Sequence, residues 1–544
     1  MKKILLALTA LSFGAAFAQD FGFGDMGNTG FPASDSFEDS SSAATNLSIS
    51  GETGASVRAW GGSVNKDNEF DTRYYGSAYD LSKSEVEGSA WANLDITYTG
   101  EYTDTSVKIK LDESTLKEHP EDVIDELYTS GSFKDGRFQL KAGKMKEVWG
   151  KGDKVHVLDN FNANDYTDFI FPDYIDRRIG EIMFKATANI SWDKNIKLEG
   201  IYTPMMTADR FATEGHLVPY AQKKLTDTVS GIVAAQAATA LGSMMTVSAS
   251  NNVEVDPEAI GLISRLADFS QDDLFDDKLS TLKYGQAGLR LTGTAAGFDW
   301  GASYYYGHYK QPSANLNGTI VYEASQQVPM VASMVPPSVA LADALPSLNY
   351  DQLQIFGLEA AFVLWKLNTR WEAAYNLTED IAGDNPWVKN NSLAWVAGFD
   401  IDLPIHNLNL NVQETGTYTL KSDKIKDGGF NLAGMTIPWA LIGSNYDVDY
   451  NSDDKYTRNK LIVLLSDKWL NEKLTTEIQG IYGFECKEFM IAPKVEYNVS
   501  EGLTLGARGI YLYSDNENGE FYNFTQDTKN HDKALLELTA KYQF

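Results

Sequence analysis

The side chains through which this 544-residue chain could do chemistry are six histidines, one cysteine and a dense run of carboxylates and bases between residues 137 and 185. His119, His156, His216, His308, His406 and His531 are scattered, and no two have the spacing of a zinc pair on one helical turn. Cys486 stands alone, which excludes a disulfide scaffold and a cysteine-based metal site. The segment Asp159 to Asp165 is rich in oxygen ligands but lacks the spacing and the glycine of a calcium loop. No glycine-rich phosphate loop joins a strand to a helix. These patterns predict no enzyme, no metal and no cofactor.

What remains is electrostatic. The stretch from Trp149 to Arg178 holds Trp149, Gly150, Gly152, Asp153, Asp159, Asp165, Asp173, Arg177 and Arg178. Lys108, Lys110, Arg137, Lys141 and Lys185, on flanking segments, are expected to form the lumen wall. Gly150 and Gly152 permit a sharp bend. At about thirty residues, the stretch is long for a plain connection, and Trp149, Phe161, Tyr166, Phe169, Phe171 and Tyr174 give it surface to pack. It is expected to fold inward as a constriction loop, with its aspartates facing Arg137, Lys141, Lys185, Arg177 and Arg178. Charge pairs in a confined lumen are screened less than surface pairs.

The elements that must position this loop are strands. In Glu181 to Ile190, Ile182, Phe184, Ala186, Ala188 and Ile190 share one face while Glu181, Lys185, Thr187 and Asn189 share the other. The same period of two runs through 91–100, 137–142, 474–482, 489–497 and 503–513. It predicts strands at 46–60, 88–101, 103–113, 122–133, 136–147, 179–192, 195–206, 283–294, 297–309, 350–364, 367–378, 391–402, 405–418, 458–468, 471–484, 487–499, 501–514 and 533–544. Every second connection is short, and most of the others are long. An even count with short turns on one side and long loops on the other predicts an all-β transmembrane antiparallel barrel of about 18 strands, with 16 as the alternative. A soluble chain of this length would be expected to hold several domains. The mean hydropathy of −0.30 does not oppose a membrane, because alternating strands average to such values.

Both ends of the chain support this placement. Residues 1–18 follow the plan of a secretory signal peptide: Lys2 and Lys3, an apolar run, then Ala16-Phe17-Ala18. Residues 19–45, rich in Gly, Ser, Asp and Phe, read as a disordered periplasmic tail, leaving 46–544 for the barrel. The expected location is the outer membrane of a Gram-negative-type envelope, after cleavage of that peptide. The closing segment puts Ala534, Leu536, Leu538, Ala540, Tyr542 and Phe544 on one face. Its end resembles the C-terminal signal, here Tyr542 and Phe544, that such barrels present to their assembly machinery. A net charge of −29 excludes a nucleic-acid partner. The longest connection carries helical signals at 218–245 and from Asp256 to Phe269, and 328–346 is apolar and Pro-rich.

Between Phe138 and about Tyr202, a strand ending Ala142-Gly143-Lys144 leads into Trp149-Gly150, Asn164-Asp165 and Arg177-Arg178 before the next strand. This pattern resembles a family of outer-membrane β-barrels of unknown function, associated with RND-type exporters and the handling of hydrophobic compounds. The resemblance implies a channel or export conduit for a hydrophobic or amphipathic molecule, with membrane lipid and an inner-membrane exporter as partners. In ordinal position the loop also resembles the inward loop of general porins. A hydrophilic-solute porin and a surface adhesin or structural barrel are the alternatives.

Overall fold

The computed structural model describes residues 46–61, 85–168, 175–212, 228–231, 234, 250, 279–315, 347–424, 428–432, 435–439, 443–445, 457–514, 516, 519–521 and 534–544. The expected signal peptide and tail, the 328–346 stretch and Asp173 lie outside these residues. So do the helical signals, apart from residues 228–231 and 234 of the first, which are helical.

Eighteen strands close one antiparallel sheet. They are β1 (Leu47–Trp60), β2 (Glu85–Thr99), β3 (Thr103–Leu111), β4 (Ile124–Phe133), β5 (Phe138–Met145), β6 (Glu181–Ser191), β7 (Ile196–Thr203), β8 (Gln286–Ala295) and β9 (Phe298–His308). The circuit continues through β10 (Gln352–Leu364), β11 (Leu367–Leu377), β12 (Ser392–Asp402), β13 (Asn409–Thr419), β14 (Thr457–Trp469), β15 (Leu474–Gly483), β16 (Glu488–Ser500), β17 (Leu503–Tyr513) and β18 (Ala534–Gln543). Each strand pairs with the next, and β18 returns to β1 in the register Thr53 to Tyr542. Closure leaves no sheet edge, the condition for a sheet to survive in lipid. The alternative count of 16 is thereby set aside.

Backbone handedness explains the short turns. Two-residue hairpins favour positive φ, and Lys134, Asp135, Asn195, Ala296, Trp365, Asn471 and Gly502 all have it. The largest departure from the expected boundaries is at β13, which begins at Asn409 rather than 405. Pro404 has no N–H to give a ladder, and a wider turn closes instead with Leu403 N–H donating to Leu408 O at 2.8 Å.

The alternation sorts the two faces. Phe184, Leu289, Ile478 and Leu538 point outward and are 52–57% exposed. So large an apolar surface is a liability in water and is satisfied by acyl chains. Among the described residues no helix is long and apolar enough to cross a membrane; the strands cross. The inward faces of β5 to β12 carry Met145, Met183, Ile201, Tyr305, Leu353, Ile355, Ala374 and Ala394, all buried. Their burial means that something fills the barrel on that side.

Candidate functional site: the inward loop and the lumen

The filling is the connection between β5 and β6. Its residues Trp149, Leu158 and Phe161 join the buried inward side chains in one apolar cluster. Phe161 meets Trp149 edge-on at 4.9 Å between ring centroids and Tyr305 at 5.1 Å. Gly288 on β8 leaves room for this, because a Cβ there would stand 2.7 Å from both aromatic rings. The loop thus behaves as a core element.

The entry to the loop is fixed by polar contacts. Asn162 accepts from Glu147 N–H at 2.9 Å and donates to Met145 O and Ile179 O, tying both strand ends together. Arg178 donates to Glu147 O at 2.6 Å and pairs with Asp159. The Glu147 carboxylate receives Lys141 at 3.0 Å and Lys185 at 2.8 Å. Burial would raise its pKa, but Lys185 and Lys141 outweigh this and hold the carboxyl below its ordinary value.

The tip is caught by the far wall. Glu372, inward on β11, accepts from Gly152 N–H at 2.5 Å, Val157 N–H at 2.8 Å, Leu158 N–H at 3.3 Å and His156 Nδ1 at 2.8 Å. Gly150 has φ +110°, and a Cβ there would lie 2.2 Å from Glu372 Oε1, so only glycine lets the chain wrap this carboxylate. Beyond it, Lys154 N–H donates to Gln413 on β13 at 2.9 Å, and Asp153 accepts from Asn411 and faces Arg370 at 3.6 Å. Lys151 faces Asp299 on β9 at 3.8 Å. From β5 to β13 is eight strands of eighteen, so the loop crosses the bore.

These positions correct the expected partners. Lys141 and Lys185 hold Glu147, not the loop aspartates, because Glu147 is the first carboxylate past the end of β5. Asp153 reaches Arg370 and Asn411, and Asp159 pairs within the loop with Arg178. Asp165 makes a local turn, accepting from Thr167 N–H at 2.9 Å and from its hydroxyl. Arg137 is exposed in the β4–β5 turn rather than on the lumen wall, since positive φ at Lys134, Asp135 and Gly136 delays the strand to Phe138. Lys108 pairs with Glu126 at 2.7 Å and Lys110 with Asp112 at 3.4 Å, both away from the loop. Arg177 lines the open lumen. At the closing seam, Phe544 exchanges backbone hydrogen bonds with Gly51 at 2.9 and 3.0 Å, and its ring stacks near Tyr542.

On the side of β11 to β17 the loop leaves a cavity of about 1160 Å³. Val155 and Val157 of the tip border it, opposite Ile462, Leu464, Ile481, Lys494 and Arg508. A smaller cavity of about 330 Å³ lies among Tyr128, Gln139, Lys141, Glu147 and Lys185.

An even strand number, long loops opposite short turns, both barrel termini at the short-turn end and a lipid-facing apolar band now stand together. The barrel is of the outer-membrane type. No family profile matches the chain, and no curated protein matches it in sequence. Solved structures similar to it include a BenF-like porin from Pseudomonas fluorescens Pf-5, with 11% identity over 91% of this chain and 98% of that one and a TM-score of 0.41. OpdQ of Pseudomonas aeruginosa has 7% identity over 92% and 98% of the two chains, with a TM-score of 0.41. The outer membrane channel DcaP of Acinetobacter baumannii has 10% identity over 92% and 97%, with a TM-score of 0.35.

Proposed function

We propose that the protein is a passive outer-membrane channel or export conduit in which the loop between β5 and β6 sets the aperture, and that its passenger is amphipathic. The observation that carries this reading is the loop tip, held across the bore by Glu372 with a cavity of about 1160 Å³ remaining beside it. A surface cap would not need a wall carboxylate gripping three of its amides. The mixed wall supports an amphipathic passenger: Val155, Val157, Ile462 and Leu464 offer apolar contact, and Lys154, Arg370, Lys494 and Arg508 offer charge. Partnership with an inner-membrane exporter belongs to the same proposal and rests on the resemblance of residues 138–202.

The hydrophilic-solute porin is the second reading, favoured by the many charged side chains in the same cavity. Planar-bilayer conductance and liposome swelling distinguish the two. The channel reading expects steady conductance, raised about twofold or more in Glu372→Gln, because an amide holds backbone donors less strongly than a carboxylate. Swelling in sugars as fast as in short-chain amphiphiles would replace the amphipathic passenger with the hydrophilic one. No conductance in either protein would remove the channel itself.

A further inference from the structure

A second segment enters the barrel, and it carries a charge. Residues 519–521, in the connection from β17 to β18, reach the inner wall of the open side. Phe521 is buried among Trp60, Met490, Leu512 and Leu535, and its N–H donates to Glu488 Oε2 at 2.9 Å. Gly519 makes the close approach possible, since a Cβ there would lie 2.7 Å from the same carboxylate. The neighbouring side chain, Glu520, turns into the cavity. Its carboxylate pairs with Lys460 and faces Arg458 at 3.8 Å, both on β14, and Arg177 of the inward loop acts on it as well. The side chain is two-fifths exposed to the cavity, and the charges of Lys460 and Arg458 hold its carboxyl below the ordinary value. Glu488 is the other acid facing Lys460 and Arg458. Three cations therefore converge on Glu520, which belongs to a short strap, and two of them, Lys460 and Arg458, also face Glu488.

We propose that Arg458, Lys460 and Arg177 form a binding site for an amphipathic monocarboxylate at the outer end of the lumen, in which Glu520 is the built-in counter-ion that an incoming carboxylate displaces. The inference rests on the channel reading and names its passenger. Two features make the exchange feasible. The strap is held by the ring and N–H of Phe521, so the Glu520 carboxylate can leave its cations without unpacking the strap. Below the cations, the inward face of β14 continues from Lys460 to Ile462 and Leu464 at the period of two, and all three line the cavity. A carboxylate seated at Lys460 thus has an apolar track for its chain leading toward the loop tip.

The test is equilibrium binding to the intact protein in lipid nanodiscs, with hexanoate, acetate and inorganic phosphate as probes. In Glu520→Gln, hexanoate is expected to bind about fivefold or more tightly than in the parent, the lower range for two groups coupled through one site. Glu520→Asp should fall between them, and Lys460→Gln in the Glu520→Gln background should abolish the gain. Hexanoate should bind more tightly than acetate by the burial of its methylenes. Unchanged hexanoate binding in Glu520→Gln, with the protein folded by its heat-modifiable mobility, overturns the counter-ion role. Phosphate binding as tightly as hexanoate overturns the carboxylate class. Because binding is read without current, failure here is distinct from failure of the channel reading, which conductance reports.

Discussion

The two halves of the barrel interior use the same wall pattern to opposite ends. From β5 to β10, inward Met145, Met183, Ile201, Tyr305 and Ile355 meet Trp149, Leu158 and Phe161 of the loop and form an apolar core, with Leu353 at its border with the cavity. From β11 to β17 the inward positions border a cavity and include Arg370, Asp400, Lys460, Lys494, Arg508 and Glu477. The difference shows that a transmembrane barrel need not be hollow or plugged throughout. One long connection can turn half of the bore into a protein interior and leave the other half as a passage, so the aperture is set by how firmly the filled half holds its shape.

Removing the centre of the filled half should have the largest effect. Trp149→Ala empties a fully buried site and is expected to cost about 3 to 5 kcal/mol, lowering the denaturant midpoint and raising conductance together. Loss of stability with unchanged conductance would separate the core from the aperture.

Next comes the outer surface, which both halves share. Leu289→Arg, at a lipid-facing position, should cost about 2 to 4 kcal/mol in refolding into bilayers, whereas Gln479→Arg on the lumen side should cost little. Equal tolerance at the two positions would contradict the membrane placement.

The pH dependence of the filled half follows from Glu147. Its folded pKa is depressed by Lys185 and Lys141, so its contribution is present above the unfolded pKa of about 4.3 and is lost as pH falls through the folded value. Tryptophan fluorescence should therefore report an intact core at pH 5 and its loosening only in stronger acid. Loosening that begins above pH 5 would place another group in control.

The smallest effect separates two aspartates. Asp153→Asn, at the tip beside Arg370, should change conductance by some tens of per cent, and Asp165→Asn, in its local turn with Thr167, should leave it unchanged. These are the roles the structure divides between residues that look equivalent in sequence.

How much could be read in advance follows from the range of each interaction. Strand positions were legible because the period of two is local: Ile182 and Phe184 alternate with Lys185 and Thr187 whatever lies elsewhere. All eighteen strands appear within four residues of the expected ends. That the loop is rich in aromatics and contains paired glycines was also legible. Its partners were not, because Glu372 lies 220 residues from Gly152, and no local pattern marks which inward carboxylate a loop will meet. Gly150 and Gly152 gave a partial signal, since two glycines two residues apart imply a close approach by something. Glu147 is hidden in the sequence by the more numerous aspartates of the loop, although only Glu147 sits at the end of β5, within reach of both lysines. The strap at Glu520 and Phe521 left no periodic trace at all.

The contrast between the halves is tested most directly by thiol access under conductance recording, in a background with the buried Cys486 changed to Ser. Val155→Cys places a thiol at the loop tip on the cavity, and Leu158→Cys places one three residues on, inside the apolar core. A bulky charged methanethiosulfonate reagent should lower the conductance of the Val155→Cys protein in discrete steps and leave that of the Leu158→Cys protein untouched. Block of Leu158→Cys with no effect at Val155→Cys would put the passage through the half described here as filled and contradict the account.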